Sequence, residues 1–166
     1  MSTGVCDALP PKAVGRLLNP VVRGLLCTPL ARRIDGLALL TFTGRRSGHR
    51  YRVPVGWHEA AGVPVVFTPS AWRVNFTDGW TVTVRHRGRA RQMIGRLVTD
   101  PNDVARALNY VLEHGTSPRR VALDVATGHA LTPADVTSVG RAMVQFVDSN
   151  TVTTSTEGRV RSPVER

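Results

Sequence analysis

The feature that most constrains this chain is the spacing of its β signals: five short strand-like runs fall within about sixty residues, between Leu37 and Val98. Leu37 to Thr43 is apolar and β-branched and stops at Gly44. Arg50 to His58 alternates, which puts Tyr51, Val53, Val55 and Trp57 on one face and Arg50 and Arg52 on the other. A turn at Ala61-Gly62 leads into Val63 to Thr68. Trp80 to His86 alternates strictly, and Arg87-Gly88 turns the chain into Arg89 to Val98. Strands this short, joined by tight turns, predict an antiparallel sheet or small barrel. Closing the barrel removes edges that would otherwise stand open to pairing. Ala142 to Val147 reads as a last strand, and Val121 to Val125 fits more than one state.

Helical signals flank this β region. Ala13 to Ile34 carries apolar residues at intervals of three and four, interrupted by Pro20 and Pro29, and reads as two short helices or one kinked helix. Arg16, Arg23, Arg32 and Arg33 decorate it. Such a segment either packs on its own domain with solvated arginines or lies on an anionic membrane surface. Asp100-Pro101 is a cap followed by proline at the first helical position, with Val104, Ala107, Leu108, Val111 and Leu112 on one face and Gly115 past the end. Thr132-Pro133 repeats that signal and opens a short helix to about Gly140.

A chain of 166 residues fits one domain with its own core. Hydrophobic residues at 42% and charged residues at 20% exclude an intrinsically disordered chain and an integral membrane protein alike. Residues 1–12 are expected to be a flexible N-terminus, 13–148 the folded domain, and 149–166 a disordered tail rich in Thr, Ser and Arg. Cys6 and Cys27 are too few for a disulfide framework, and no Cys/His cluster has metal-ligand spacing, so no metal is expected. No secretory leader is read at the first residues, and a cytoplasmic protein, with the membrane contact above left open, is the expectation. The net charge is +10, and of 22 cations only Lys12 is lysine, leaving 21 arginines. A guanidinium grips phosphates and carboxylates through a planar fork, so the partner question is which anion the chain meets.

The densest signal is Gly44-Arg45-Arg46-Ser47-Gly48, directly after a strand. Two glycines permit a tight turn that exposes backbone N–H groups, and two arginines and a hydroxyl can converge on one anion. The spacing is not that of a Walker loop or of a dinucleotide-binding fingerprint. Arg50 and Arg52 on the next strand would extend the same anion site. Downstream, Ser70 is placed to cap a single helical turn, while Trp72 offers a flat heterocycle an aromatic wall and Asn75 an amide. A second basic group runs from Arg85 to Arg91.

The run L-L-T-F-T-G-R-R-S-G-x-x-Y-R-V-P-V (Leu39 to Val55), then A-W-R-V-N-F (Ala71 to Phe76) and V-T-V-R-H-R-G-R (Val82 to Arg89), resembles the nitroreductase/quinone reductase family of deazaflavin-dependent oxidoreductases. The likeness covers about Leu17 to Val147. It implies an α+β, mainly β fold: an FMN-binding-type split β-barrel of about six antiparallel strands with flanking helices, as in pyridoxamine 5'-phosphate oxidases. It implies coenzyme F420 as cofactor, and hydride transfer from the reduced deazaflavin to a quinone-like or other electron-poor small molecule. Carried over, Gly44, Arg45, Arg46, Ser47 and Gly48 would hold the phosphate, with Arg50 beside them. Tyr51, Arg52, Val53, Pro54 and Val55 would line the path to the ring. Thr68, Pro69 and Ser70 would meet the ring edge, and Trp72 and Asn75 would close the pocket. Ser70 and Trp72 are the candidates for contact with the electron acceptor; no catalytic residue is assigned.

The chain departs from the family pattern in three places. Only Thr68 to Ala71 separates the third strand from Trp72, Tyr51 stands where a basic residue is common, and no tyrosine occurs near the C-terminal end. The last departure argues against activation of nitroaromatic compounds. Two alternatives remain at this stage. One keeps the fold and binds FMN through the same phosphate loop. The other is a non-catalytic binder of nucleic acid or anionic membrane, although aromatics at 5% provide few stacking platforms and no nucleic-acid motif is present, so nucleic acid is not expected. Split barrels often dimerise, which leaves a homodimer open.

Overall fold

The structure, a computed structural model, describes residues 5–7, 36–121, 123–125 and 129–149. Its strands in chain order are β1 (Val5–Asp7), β2 (Leu37–Thr43), β3 (Arg50–Gly56), β4 (His58–Ala60), β5 (Val63–Thr68), β6 (Trp80–His86), β7 (Arg89–Val98), β8 (Leu123–Val125) and β9 (Ala142–Asp148). Two α-helices, α1 (Pro101–Glu113) and α2 (Pro133–Ser138), and two 3₁₀ turns, Ala71–Phe76 and Pro118–Val121, complete the described elements.

The main sheet has seven antiparallel strands in the order β3-β2-β6-β7-β9-β5-β4. Its two edge strands are neighbours in sequence, separated only by Trp57. The alternating run from Arg50 therefore breaks at Trp57: its first half pairs with β2, from Arg50↔Thr43 to Gly56↔Leu37, and its second half with β5. One covalent stretch joining both edges obliges the sheet to curl, and the result is a mainly-β split barrel. Counted as one bent strand, β3 and β4 leave the six strands expected from sequence. Pro54, which has no N–H to donate, sits in edge strand β3, where its absence from a second ladder costs nothing.

The hairpins follow their turn chemistry. Ala61 and Gly62 have φ of 49° and 81°, and Arg87 and Gly88 have 48° and 74°. Positive φ at both central residues of a two-residue loop is the type I′ turn, whose twist matches that of the flanking strands.

Period-two alternation splits the apolar residues into two cores. Inside the barrel lie Ala38, Leu40, Phe42, Val55, Val66, Phe76, Val82, Val84, Met93, Val144 and Phe146. Val65 and Phe67 of β5 and Met143 of β9 point the other way, against Val104, Ala105, Leu108 and Val111 of α1. Asp100 caps α1 by accepting the Asn102 N–H at 2.8 Å, and those hydrogen bonds hold its carboxyl below the usual range. α2 opens with a capping box, Thr132 and Asp135 each bonding the other's backbone. The side chain of Asn109 clamps both Leu131 N–H and C=O, at 2.8 and 2.9 Å, tying the chain before α2 to α1.

Three points differ from or lie beyond the sequence reading. Val5–Asp7 forms a strand paired antiparallel to β8, a two-stranded sheet that the sequence did not reveal. Of the ambiguous stretch Val121 to Val125, Val121 ends the 3₁₀ turn Pro118–Val121 and Leu123–Val125 is β8. The expected N-terminal helix with its arginines, Cys27 and the tail beyond residue 149 lie outside the described residues. Among the described residues, no helix is long and apolar enough to cross a membrane, and none cluster as metal ligands.

Candidate functional site at the arginine loop

The loop after β2 is shaped by its own backbone. Gly44 N–H donates to His49 C=O at 2.8 Å and Gly48 N–H to Gly44 C=O at 2.9 Å, with Gly48 at φ 66°. The Arg45 N–H is taken by Asn75 Oδ1 at 3.0 Å, and the His49 N–H by Ser47 Oγ at 3.3 Å. The loop is thus less of an open nest than its glycines suggest: most of its N–H groups are satisfied within the fold. Among the described residues, those of Arg46 and Ser47 stay outside this network. The donors left for an anion are mainly side chains.

Gly44 is buried for a reason its sequence context did not disclose. A Cβ there would stand 2.5 Å from Ser47 Oγ and 2.6 Å from Tyr51 Cε2. The missing side chain lets the Tyr51 ring lie against the loop, stacked on Phe42 at 5.4 Å with its hydroxyl 3.3 Å from Ser47 Oγ. Tyr51 therefore belongs to the site through its position beside Ser47.

Opposite the loop stands the 3₁₀ turn Ala71–Phe76. Phe76, fully buried, anchors it in the barrel against Phe42 at 5.0 Å and Phe146 at 6.3 Å. Trp72 leans on the same plug, 5.9 Å from Phe76 and 6.1 Å from Phe42. Asn75 joins the two walls, accepting from Arg45 N–H and donating from Nδ2 to Trp72 C=O at 2.7 Å. This bridge uses one N–H and one lone pair of the amide, so Asn75 positions loop and turn while still lining the cleft. Ser70 precedes the turn without capping it through its side chain; its N–H instead donates to Thr68 Oγ1 at 3.1 Å. Arg73 secures the far side, donating to Thr68 C=O at 3.1 Å and Gly140 C=O at 3.0 Å.

Between loop and turn lies a cleft of ≈ 850 Å³ lined by Arg45, Arg46, Ser47, Tyr51, Trp72 and Asn75, together with Ala71, Val74, Thr77 and Asp78. Six residues singled out from sequence thus meet at one mouth of the barrel. Others do not. Arg50 and Arg52 alternate to the outer face of β3, and Arg50 lines a separate surface groove with Thr41, Thr43, Thr81 and Thr83. The expectation that these arginines extend the anion site fails because one step along a strand reverses the side chain. Val53 and Val55 pack on the barrel core, and Thr68 is buried, while Pro54, Pro69 and Ser70 also lie outside the lining of this cleft.

Two residues that the sequence did not single out govern Arg45. Its guanidinium donates to Asp78 Oδ2 at 2.9 Å and lies 5.4 Å from the Trp80 ring centroid. The Trp80 indole N–H is itself held by Thr43 C=O at 2.7 Å. Asp78 is 72% exposed, so the pair contributes at most about 1 kcal/mol. Arg46 has no acidic partner among the described residues.

Fold and cleft together define the chain as a mainly-β split barrel with a two-arginine cleft at one mouth. No protein-family model matches it, and no curated protein matches it in sequence. Among solved structures it is similar to the conserved hypothetical protein Rv2991 from Mycobacterium tuberculosis, with TM-score 0.45 and 15% identity, over 89% of this chain and 86% of that one. It is also similar to the FAD and heme binding protein from Mycobacterium smegmatis, with TM-score 0.44 and 15% identity, over 86% of this chain and 67% of that one. Likenesses this weak carry no function across.

Proposed function

We propose that the cleft binds coenzyme F420 and that the protein is a deazaflavin-dependent oxidoreductase acting on a quinone-like or other electron-poor small molecule. The observation that carries this reading is the convergence of Arg45, Arg46, Ser47 and Trp72 on one cleft. Two guanidiniums and a hydroxyl match a phosphodiester and the acidic tail beyond it. The half-buried Trp72 indole, backed by Phe42 and Phe76, supplies an apolar wall for a planar ring. The donor set and the wall fit the group.

Bound F420 would supply the hydride, as a cofactor that carries its own reactivity. The chain's part is positioning and electrostatics. Arg45, now paired with the exposed Asp78, would be available to hold the phosphate. Arg46 and Ser47 add donors from the same loop. Asn75 keeps loop and turn at a fixed separation, so the Trp72 wall and the phosphate donors stay in register. Trp72, lining the cleft, would shield one face of the ring from water.

The test is a titration of tryptophan fluorescence with F420 and, separately, with FMN. Saturable quenching by F420 at micromolar concentrations is expected. Replacing Arg45 and Arg46 together by Ala removes two charged hydrogen bonds of about 1.5–3 kcal/mol each, a loss of about a hundredfold or more in affinity. Tighter binding of FMN than of F420 would move the assignment to an FMN protein of the same fold. No saturation with either would defeat both.

A further inference from the structure

The barrel has a second mouth. Trp80, beside Arg45, and His86 are the two ends of β6, so six residue steps separate the mouths by about 20 Å. Phe42, Phe76 and Phe146 fill the space between, with ring centroids 5.0 and 6.3 Å apart, so the two openings do not communicate.

At this far mouth β7 carries Arg89 and Arg91 in phase with Met93, which is 5% exposed and faces the barrel interior. The pairing confirms the phase: Met93 stands opposite Val82, Arg91 opposite Val84 and Arg89 opposite His86. Interior positions of a small barrel are normally filled by side chains that pack. Here the last two inward positions are guanidiniums, poised over a buried floor of Val84 and Met93. They border a pocket of ≈ 680 Å³ whose lining includes Trp57 and, as one acidic group, Glu59. The Trp57 indole is braced from behind by Phe146 at 5.1 Å and flanked by the His86 ring at 5.5 Å. Among the described residues, neither Arg89 nor Arg91 has an ion-pair partner.

We propose that this far mouth is a second ligand site, for a small planar organic anion. The ring lies against Trp57 over the Val84 and Met93 floor, and its carboxylate or phosphate is held by Arg89 and Arg91. Glu59, on the rim of the same pocket, opposes the anion and sets a limit on how much negative charge is accepted. The site is independent of the arginine loop and holds whether or not that loop binds F420.

The probe is 1-anilinonaphthalene-8-sulfonate, an aromatic anion with a planar naphthalene ring, whose fluorescence rises on leaving water. Saturable binding is expected, with affinity that falls as salt is raised. Arg89→Ala with Arg91→Ala should weaken it at least tenfold, for the loss of two charged hydrogen bonds. Both side chains are exposed, so the fold should survive, which a far-ultraviolet spectrum and a melting curve check. Glu59→Gln should change affinity in the opposite direction, tightening binding two- to fivefold. The same loss on replacing Arg89 and Arg91 is expected in an Arg45→Ala, Arg46→Ala background, where the loop cleft no longer offers the probe a second pair of guanidiniums. Displacement of the probe by phenyl phosphate at lower concentration than benzoate assigns a phosphate ligand, and the reverse order a carboxylate. Wild-type affinity in the Arg89/Arg91 variant, no loss when Arg89 and Arg91 are replaced in the Arg45/Arg46 background, weaker binding in Glu59→Gln, or displacement by neither competitor overturns the proposal.

Discussion

Gly95, in the middle of β7, is the point where the architecture leaves least room, and Gly95→Ala is the substitution that tests it. A Cβ built there lies 2.6 Å from Phe76 Cδ1, 2.8 Å from Cε1 and 3.2 Å from Phe146 Cε1. Carbon atoms pack at about 3.5–4.0 Å, so Phe76 would have to retreat by about 1 Å. It has nowhere to go: it is fully buried and held by Phe42, Trp72 and Phe146. Overpacking a core in this way costs about 1–3 kcal/mol. Alanine offsets about 0.5–1 kcal/mol of that, because it has less backbone freedom to lose than glycine. With mid-range values of about 2 and about 0.75 kcal/mol, the net is a destabilisation of about 1 kcal/mol, or a melting temperature lower by about 2–4 °C for a chain of this size. Urea unfolding followed by tryptophan emission measures it. The decisive control is the double-mutant cycle with Phe76→Leu, which removes the ring edge that the new methyl meets. In that background Gly95→Ala should be neutral or stabilising. Equal destabilisation in both backgrounds, or a gain in stability in the wild type, would refute the argument that Gly95 exists to admit Phe76.

His58 provides a pH test. It is 8% exposed, beside Phe67 at 5.8 Å, and burial, followed by the nearby Arg120 charge, lowers its pKa from 6.5 to about 4. Below pH 6.5 the unfolded chain takes a proton that the native state refuses, so stability should fall between pH 6.5 and 4, by up to about 3 kcal/mol. Urea midpoints should show that slope, and His58→Phe should flatten it. Asp78→Asn frees Arg45 from an exposed partner, so it should change stability by less than about 1 kcal/mol and tighten F420 binding severalfold in the fluorescence titration. Ala61, at φ 49°, holds a conformation that costs an L-residue about 1–2 kcal/mol, and Asn is better tolerated in the first position of a type I′ turn. Ala61→Asn should therefore raise the melting temperature by about 1–4 °C in calorimetry.

Period and punctuation are local properties, and the chain states them openly. The strand runs, the I′ hairpins at Ala61-Gly62 and Arg87-Gly88, the cap-plus-proline starts at Asp100 and Thr132, and the arginine loop after β2 are all legible residue by residue. The alternation of β3 even separates Tyr51 from Arg50 and Arg52, so their opposite faces were already written in the sequence. The tertiary structure decided which face is the inside. Because the single residue Trp57 lets one run of chain serve both edges of the sheet, the barrel curls with Val53 and Val55 inward and turns Arg50 and Arg52 out of the loop's cleft. The same curl brings the Asn75 amide to the Arg45 N–H and Asp78 to its guanidinium, contacts spanning 30 and 33 residues that no local pattern encodes. Alternation along β7 already puts Arg89 and Arg91 in phase with Met93, but only the curl buries that face at Met93 and makes the basic hairpin the rim of a second pocket. Local chemistry determined the elements and the donors. Closure of the sheet, a long-range event, decided which donors share a site.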